Sequence, residues 1–371
     1  MKLLITMKLA DRSLKYHIYP ITLLKEVDEI IIVRDRQGPP IEKVGYYCPP
    51  KWTLKFPIMA LFFKFVLMIC LSIRKKPTLV HAYLLFPHGI LAFLAGKLTM
   101  RKVGVSLIAG PVELYAPGRS PVEKYAYTKS LPKLSITGKI MLSILKRFDV
   151  ITVTGSFTKR FLVAKRIDEN KIFILPHVVD ARFKPVEIKK DCNIIYVGRF
   201  APVKHVETLL RAVAIVTKTC PNIKAAVVGD GECRRGLEEL SEMLDLTKNI
   251  FFVGYQSDVW NWYNKAKISI LTSEREGFPY SVVESLSCGV PVIASDCGDV
   301  CDVVKDGYNG ILIDEYQDYH SFAEAIIKLL QNPELMNEYS ASALKTAEKI
   351  DAEKVVCVWG KIIAGIGAKK V

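Results

Sequence analysis

Residues 267–295, KISILTSEREGFPYSVVESLSCGVPVIAS, decide the fold of this chain because they form one complete strand–helix–strand unit. The apolar runs Lys267–Thr272 and Val290–Ser295 have the length and composition of buried strands. Between them, a polar loop containing Gly277 leads into a helix that we expect to start near Ser281. Two apolar strands joined through a helix are typical of a parallel pair.

The same alternation of short apolar runs and longer helical patterns extends through both halves of the chain. It predicts parallel sheets with helices on both faces, and the two series of strands predict two doubly wound, Rossmann-like domains. The other predicted strands are Leu3–Thr6, Glu29–Val33, Leu79–Tyr83, Val103–Ala109, Val150–Thr154, Lys171–Leu175, Asn193–Gly198, Lys224–Gly229, Asn249–Gly254 and Gly310–Ile313.

The domain boundary is expected in Pro176–Asp191, where the periodicity lapses and two prolines occur. We therefore predict an N-terminal domain over residues 1–178, a linker over 179–191 and a C-terminal domain over 192–350. Residues 351–371 form a helix that needs a surface to cover, and we expect it to pack back on the N-terminal domain. The four prolines of Gly38–Trp52 predict a long loop inside that domain.

The charge of the chain is concentrated in its first half. The 371 residues carry a net charge of +14, and residues 1–180 hold 29 Lys and Arg against 12 Asp and Glu. Lys43–Val112 contains ten basic residues and no acidic one, and Tyr115–Arg147 adds seven basic residues against Glu123 alone. Such a field attracts a phospholipid surface, a nucleic acid or a polyanionic substrate.

Cysteine usage and the N-terminus both indicate a cytosolic protein. The nine cysteines form no CxxC pair and are too few for a disulfide scaffold in a chain of this length, so reduced thiols are expected. The opening residues 1–8 are interpreted as a buried strand and not as a signal peptide. A hydrophobic content of 50% excludes a disordered chain.

One segment, Leu54–Ile73, is about as long as a membrane span. Spanning is disfavoured because Lys64 would lie at mid-depth, at a cost of roughly 2.5–3.5 kcal/mol. It would also separate the first strand from the rest of its sheet. Two alternatives stay open, a helix buried against the sheet and a helix lying on the membrane with basic flanks, and we favour membrane contact.

Ligands of doubly wound sheets bind beyond the carboxyl ends of the strands. Strands of the second half end at Gly198, Gly229 (with Gly231 two residues later) and Gly254, which precedes Tyr255. Glycines there allow a ligand or a tight turn to approach the backbone.

Charged side chains follow two strands of the second half, Asn193–Gly198 and Lys267–Thr272. Arg199 and Lys204 bracket the start of a helix, an arrangement that favours a diphosphate. Glu276 and Glu284 lie eight residues apart, with Gly277, Phe278 and Pro279 after the first of them. Glu284 interrupts an apolar run on the face that should be buried, so a solvated helix face does not explain it. Carboxylates at these positions can hold the hydroxyls of a sugar and of a ribose.

The pair Glu276 and Glu284, with EGFP in front and SCGVPVIASDCGD behind, resembles the family-four (group 1) retaining glycosyltransferases of GT-B fold. GRFAPVKHVETLLRA, VVGDGECRRGLEEL and FFVGYQSDVWNWYNKAKISILTS fall in register with the donor loops of that family. The resemblance is most specific over residues 193–314 and weaker before residue 150. It implies a GT-B protein, with two Rossmann-like sheets facing across a cleft.

The resemblance also implies residue roles. Arg199 and Lys204 would neutralise the donor diphosphate, and Glu276 would contact the donor sugar. Glu284 would hold the ribose, with the amides of Gly277–Pro279 near the phosphates. The remaining residues of the donor pocket would be Gly198, Gly229, Gly231 and Tyr255. The donor implied is a nucleotide diphosphate sugar, and retention at the anomeric carbon is the implied outcome.

The acceptor side departs from the family pattern. The loop Lys8–Tyr16 lacks the usual paired glycines, and Ala109 stands before Gly110 where many relatives carry a histidine. His17 and His88 are the candidates to replace that histidine. No Asp-x-Asp motif occurs, so no metal and no other cofactor is expected. His81 and His88, seven residues apart, have no acidic or thiol neighbour that would complete a metal site.

Two functions are compared on this basis. The first is a metal-independent transferase that acts on a lipid-linked or polysaccharide acceptor, located in the cytoplasm on the inner face of the cell membrane and docked on anionic lipid. The second is a catalytically weak GT-B protein that binds nucleotide sugar and regulates a glycan assembly complex. Nucleic acid is not an expected partner, because Lys43–Val112 is too apolar to form a stacking platform.

Overall fold

The computed structural model describes residues 1–115, 134–350 and 352–367. These residues divide into two compact units, the first made of residues 1–115, 134–178 and 352–367 and the second of residues 179–350. Much of the basic stretch Tyr115–Arg147 therefore lies outside the described residues.

The first unit is built on a seven-stranded parallel sheet with the strand order β3-β2-β1-β4-β5-β6-β7. Its strands are β1 (Lys2–Thr6), β2 (Glu29–Val33), β3 (Val44–Tyr47), β4 (Leu79–Tyr83), β5 (Lys102–Leu107), β6 (Val150–Val153) and β7 (Ile172–Ile174). Its helices are α1 (Asp11–Thr22), α2 (Pro57–Lys75), α3 (Ile90–Leu98), α4 (Val112–Tyr115), α5 (Ile136–Leu145) and α6 (Ser156–Ala164).

The second unit has a six-stranded parallel sheet with the order β10-β9-β8-β11-β12-β13. Its strands are β8 (Cys192–Val197), β9 (Ala225–Val228), β10 (Ile250–Gly254), β11 (Ala266–Leu271), β12 (Val292–Ser295) and β13 (Gly310–Ile313). Its helices are α7 (Val206–Val216), α8 (Arg234–Met243), α9 (Val259–Lys265), α10 (Tyr280–Ser287), α11 (Val300–Val303), α12 (Tyr319–Gln331) and α13 (Pro333–Ala347).

The predicted fold class is confirmed, since both sheets are parallel and every predicted strand is present within a few residues of its expected bounds. One prediction was wrong. Gly38–Trp52 is not a loop throughout, because it contains β3, which pairs with β2 through Ile30 and Val44. The residues of β3 are only partly buried at the sheet edge, so the strand lacks the apolar run by which the others were found.

Helix α14 (Ala352–Gly367) belongs to the first unit and packs against α1. Its apolar face includes Val355, Trp359 and Ile363, all buried in the same cluster as Leu14 of α1. The Trp359 ring lies 5.4 Å from the His81 ring of β4, measured between centroids. The end of the chain therefore completes the core on one face of the first sheet.

Helix α2 packs against β1, β2 and α3 on the other face of that sheet. Its buried side chains, Ala60, Lys64, Met68 and Leu71, recur every three to four residues and form one stripe. Lys64 is 3% exposed, and its Nζ lies 2.5 Å from Oδ1 of Asp35. Among the described residues, α2 is the helix whose length and apolar composition would allow it to cross a membrane, yet its mid-helix lysine, Lys64, is buried against the protein.

Truncating Trp359 tests whether α14 is part of the folding unit. Because this side chain is only 1% exposed, Trp359→Ala should lower the free energy of unfolding by about 3–5 kcal/mol. Chemical denaturation would measure the loss. Lys361→Ala, an exposed position on the same helix, is the matched control; an equal effect of both variants would contradict the packing of α14.

Candidate functional site

The candidate site of the second unit lies where the direction of the strand order reverses. β8 pairs with β9 on one side and with β11 on the other. Consecutive crossovers therefore leave β8 and β11 toward opposite edges, and a crevice opens between the loops that follow them. The loop after β8 carries Arg199 and Lys204, and the loop after β11 carries Glu276.

An ion pair joins these two loops across 72 residues of sequence. Lys204 Nζ lies 2.5 Å from Glu276 Oε1. Ser273 Oγ donates to the same carboxylate oxygen at 2.7 Å. The side chains of Lys204 and Glu276 are 23% and 11% exposed, so the pair is held at a partly desolvated position. The structure thus brings together two of the residues predicted to be catalytic.

Two further hydrogen bonds fix the same pair of loops. The backbone N–H of Glu274 donates to the carbonyl of Val203 at 3.0 Å, and Thr272 Oγ1 donates to the carbonyl of Lys204 at 2.9 Å. The position of Lys204 relative to Glu276 is therefore set by backbone contacts as well as by the charges.

Arg199 differs from Lys204 in its surroundings. Its side chain is exposed, and among the described residues no acidic group pairs with it. An uncompensated guanidinium beside a paired lysine leaves a net positive site at the end of β8, which suits an anion.

The glycines after β8 and β9 let these loops contact one another. Gly229 has φ +140°, and a Cβ built there would lie 1.9 Å from the carbonyl oxygen of Gly198. A Cβ at Gly231 would lie 2.4 Å from the carbonyl oxygen of Phe200. The backbone N–H of Gly229 also donates to the carbonyl of Gly254 at the end of β10. Packing between loops thus explains why glycine is needed at positions 229 and 231. Tyr255, which follows Gly254, is 76% exposed.

Glu284 lies on the buried side of α10, as its place in the apolar run predicted, and is 3% exposed. Pro279 precedes the first turn of that helix, and Phe278 is buried beneath it. Tyr263 of α9 donates its hydroxyl to the carbonyl of Ser281 at 2.9 Å, which fixes the start of α10. Gly277, Phe278 and Pro279 therefore connect Glu276 to the helix that holds Glu284.

Sequence reasoning assigned no role to Gly298, Ser273 or His205. Gly298 has φ +57°, and a Cβ there would lie 1.9 Å from the carbonyl oxygen of Glu276. His205 Nδ1 lies 2.9 Å from Oε1 of Glu207, and its Nε2 lies 3.7 Å from Oε2 of Glu274. Ser273 could have been found from its spacing of three residues before Glu276 in one loop, whereas Gly298 depends on a contact between distant loops.

In the first unit, His88 and Gly110 lie at the corresponding edge of the sheet. Gly110 has φ +73°, a conformation that favours glycine. His88 is 1% exposed, and its Nδ1 lies 3.1 Å from Oγ1 of Thr6, at the end of β1. Burial lowers the pKa of His88 to about 4, so this imidazole is neutral near pH 7.

A buried carboxylate joins the loops around Gly110. Glu113 accepts hydrogen bonds from the backbone N–H of Leu85 at 2.6 Å and of Ala109 at 2.9 Å. Burial raises the pKa of Glu113 to about 7. Sequence reasoning did not single out Glu113, because its role depends on the adjacency of β4 and β5.

His17 lies apart from these groups, on α1. Its ring centroid is 4.7 Å from that of Tyr83 and 5.1 Å from that of His177. Burial, reinforced by the neighbouring His177 and His81, holds the pKa of His17 well below its usual value. His17 packs against Tyr83 and His177, whereas His88 lies within hydrogen-bond distance of Thr6, so the two acceptor candidates have different surroundings.

His81 and His88 do not share a metal-binding arrangement. His81 Nε2 lies 2.8 Å from Ser106 Oγ inside the sheet, whereas His88 bonds Thr6. Across the residues that the structure describes, no group of three or more His, Cys, Asp or Glu side chains could hold a metal ion.

Comparison with known proteins gives a family match over the part of the chain that holds this candidate site. Residues 179–346 match the model of the family described as glycosyl transferases group 1. An uncharacterized glycosyltransferase of Methanocaldococcus jannaschii is 27% identical over 292 residues, which are 66% of this chain and 70% of that protein. The poly(glycerol-phosphate) alpha-glucosyltransferase of Bacillus subtilis is 29% identical over 196 residues, covering 52% of this chain and 29% of that protein.

A solved structure extends the comparison to the whole fold. The crystal structure of Anabaena HepE in complex with UDP superposes with a TM-score of 0.76 at 16% identity, covering 98% of this chain and 100% of that one. Residues 179–346 therefore resemble the group 1 glycosyltransferases, and the chain has the GT-B fold class. The predicted resemblance to group 1 glycosyltransferases and the predicted GT-B fold class are both confirmed.

Adding a side chain at Gly298 tests the contact that positions Glu276. Gly298→Ala combines a left-handed backbone with a clash against the Glu276 carbonyl, so we expect a loss of at least about 2 kcal/mol in the free energy of unfolding. Gly236→Ala is the control, since a Cβ there meets nothing within 4 Å inside α8. That variant should gain up to about 1 kcal/mol. Similar unfolding curves for both variants would contradict the assigned contact.

The raised pKa of Glu113 predicts a pH-dependent contribution to stability. Between its ordinary pKa of 4.5 and about 7 the folded state binds more protons at this carboxyl than the unfolded state does. Stability from Glu113 therefore falls as the pH rises through that window, by at most about 3 kcal/mol.

Comparing wild type with Glu113→Gln in urea unfolding between pH 5 and pH 8, roughly the window of the shift, would measure this term. We expect the stability difference between them to change with pH in that direction. Glu26→Gln, an exposed position in the same unit, controls for the altered charge. A pH-independent difference for Glu113→Gln would contradict the shift.

Proposed function

We propose that this protein is a retaining, metal-independent glycosyltransferase that moves a hexose from a nucleotide diphosphate sugar to a lipid-linked or polysaccharide glycan at a membrane surface. The observation that carries the proposal is the Lys204–Glu276 pair beside the unpaired Arg199, at the switch point of a parallel sheet. This arrangement offers cations to a diphosphate and a carboxylate to a sugar within one crevice.

The donor is placed by residues of the second unit. Arg199 and Lys204 bind the diphosphate, since two cations at the end of β8 supply the charge that a metal supplies elsewhere. Glu276, held by Lys204 and Ser273, accepts hydrogen bonds from hydroxyls of the donor sugar. Glu284 accepts from the ribose, and the amides of Gly277–Pro279 lie near the phosphates. Gly198, Gly229, Gly231 and Tyr255 line the nucleotide side.

The transfer step breaks the bond between the anomeric carbon and the diphosphate oxygen, and the electron pair leaves with the diphosphate. Arg199 and Lys204 stabilise the charge that develops on this leaving group. An acceptor hydroxyl attacks from the same face and forms the new bond to the anomeric carbon. Its proton passes to an oxygen of the departing phosphate, so that no protein base is required.

The acceptor is proposed from the charge of the chain and from the name of a relative. The name of the Bacillus subtilis relative gives a poly(glycerol-phosphate) acceptor, an anionic polymer. The basic first half of this chain suits an anionic glycan or lipid phosphate of that kind. We place the enzyme in the cytoplasm, peripheral on the inner face of the cell membrane.

The second candidate function is a GT-B protein that binds nucleotide sugar with little transfer activity. It is favoured by one observation, the burial of His88 at the acceptor edge with a pKa lowered to about 4. Binding of nucleotide diphosphates in a thermal-shift panel, without donor hydrolysis or transfer across donors and lipid acceptors, would favour it over the enzyme.

Substituting Lys204 or Glu284 tests the proposed transferase activity. Lys204→Ala loses stabilisation of the leaving diphosphate, and Glu284→Gln loses the anionic acceptor of the ribose contact. We expect each to lower the transfer rate by at least about 100-fold, the scale of losing one preorganised charge contact. Radiolabelled sugar transfer, with donor hydrolysis measured in parallel, gives the rate.

Lys218→Ala, an exposed lysine just beyond α7, is the matched control and should keep the wild-type rate. Thermal unfolding must show that all three variants are folded. Near-normal turnover by folded Lys204→Ala or Glu284→Gln would overturn the proposed donor site.

A further inference from the structure

The outward face of α2 has the opposite polarity from that of an ordinary surface helix. Its exposed positions carry Ile58, Phe62, Val66 and Ile73, and Ile58 is 85% exposed while Phe62 and Ile73 are 60% exposed. The one charged residue between Pro57 and Ile73, Lys64, lies on the buried stripe and pairs with Asp35. A helix that covers a soluble core places its charges outward and its apolar residues inward.

The apolar face extends beyond the helix itself. In the 3₁₀ turn Lys51–Lys55 before α2, Trp52 is 55% exposed and its ring packs against Phe63 at 5.6 Å. Helix α3, which packs beside α2, exposes Leu94 and Leu98. The stripe from Ile58 to Ile73 alone is roughly 22 Å long. Contiguous exposed apolar surface on this scale marks an interaction site, whereas scattered single residues do not.

The charges around this face identify its partner. Exposed cations lie at both ends of α2: Lys51 and Lys55 come before it, Arg74 is in its last turn and Lys76 follows it. Within the described residues none of the four has an acidic partner. An apolar stripe with unpaired cations at its ends matches a bilayer with anionic headgroups, in which the side chains enter the acyl boundary and the cations remain at the phosphates.

We propose that α2 lies in the plane of an anionic lipid bilayer, with Ile58, Phe62, Val66 and Ile73 inserted and the Lys64 face retained on the protein. Spanning is incompatible with this packing, because Ala60, Lys64, Met68 and Leu71 are buried against the first unit. The inference extends the membrane part of the proposed function, but its test needs no transfer activity, so the two can fail independently.

Vesicle binding by the full chain tests the apolar face. Vesicles of phosphatidylcholine with phosphatidylglycerol are floated with wild type and with the double variant Ile58→Ser/Phe62→Ser. Because both side chains are exposed, the variant should keep its thermal unfolding profile. We expect it to bind at least about tenfold more weakly, since two large apolar side chains no longer leave water. Met243→Ser, which alters an exposed methionine of the second unit, is the control and should bind as wild type does.

The basic flanks are tested by Lys55→Gln/Arg74→Gln. This variant should bind anionic vesicles more weakly than wild type and should respond less to added salt, because surface charge interactions are screened. Lys218→Gln/Lys248→Gln, which removes two exposed lysines of the second unit, is the charge-matched control. Vesicles of phosphatidylcholine alone should bind wild type more weakly than the anionic vesicles do.

The fluorescence of Trp52 tests whether the apolar face of α2 enters the acyl region of the bilayer. Brominated acyl chains should quench part of the tryptophan fluorescence of the bound protein, and Trp52→Phe should remove that quenching without abolishing binding. The proposal is overturned by absence of vesicle binding, or by equal binding of wild type and Ile58→Ser/Phe62→Ser. It is also overturned if light scattering shows that wild type self-associates and that Ile58→Ser/Phe62→Ser does not, while both bind vesicles equally. In that case a second copy of the chain covers the face.

Discussion

A parallel sheet must be covered on both faces, and this requirement organises the first unit. Its strands are buried on both sides, so each face needs helices that present apolar residues inward. Helices α1 and α14 cover one face, with Trp359 against His81, and α2 and α3 cover the other. The last helix of the chain thus completes a core whose first strand is Lys2–Thr6.

The order of the strands places the chemistry of the second unit. Because β8 has β9 on one side and β11 on the other, the loops after β8 and β11 meet, and Lys204 reaches Glu276. Glycines make the close contacts between these loops possible. Gly229 and Gly231 admit the loop after β8, and Gly298 admits the backbone of Glu276. The geometry of this candidate site therefore depends on close backbone packing as much as on the charged side chains.

The two units use buried polar groups differently. In the second unit, Lys204 and Glu276 keep part of their surface accessible, as a site for a charged substrate requires. In the first unit, Glu113 and His88 are almost fully buried and hold loops together through Leu85, Ala109 and Thr6. Burial shifts the pKa of both toward the neutral form, because a buried charge loses its hydration. These groups hold the loops at the carboxyl edge of the first sheet together from beneath the surface.

The sequence alone determined the alternation of strands and helices and the two series of strands, and it predicted Arg199, Lys204, Glu276 and Glu284 as site residues. It could do so because hydrophobic periodicity and motif spacing are local properties. The edge strand β3 was not predicted from the sequence, because a half-buried edge strand has no apolar run.

Only the tertiary structure decided which way Lys64 points, that Ser273 and Gly298 serve Glu276, and that Glu113 joins two loops. Each of these depends on which strands are neighbours and on which face a helix buries. Contacts between residues far apart in sequence are fixed by the packing of the sheets, and local spacing carries no record of them.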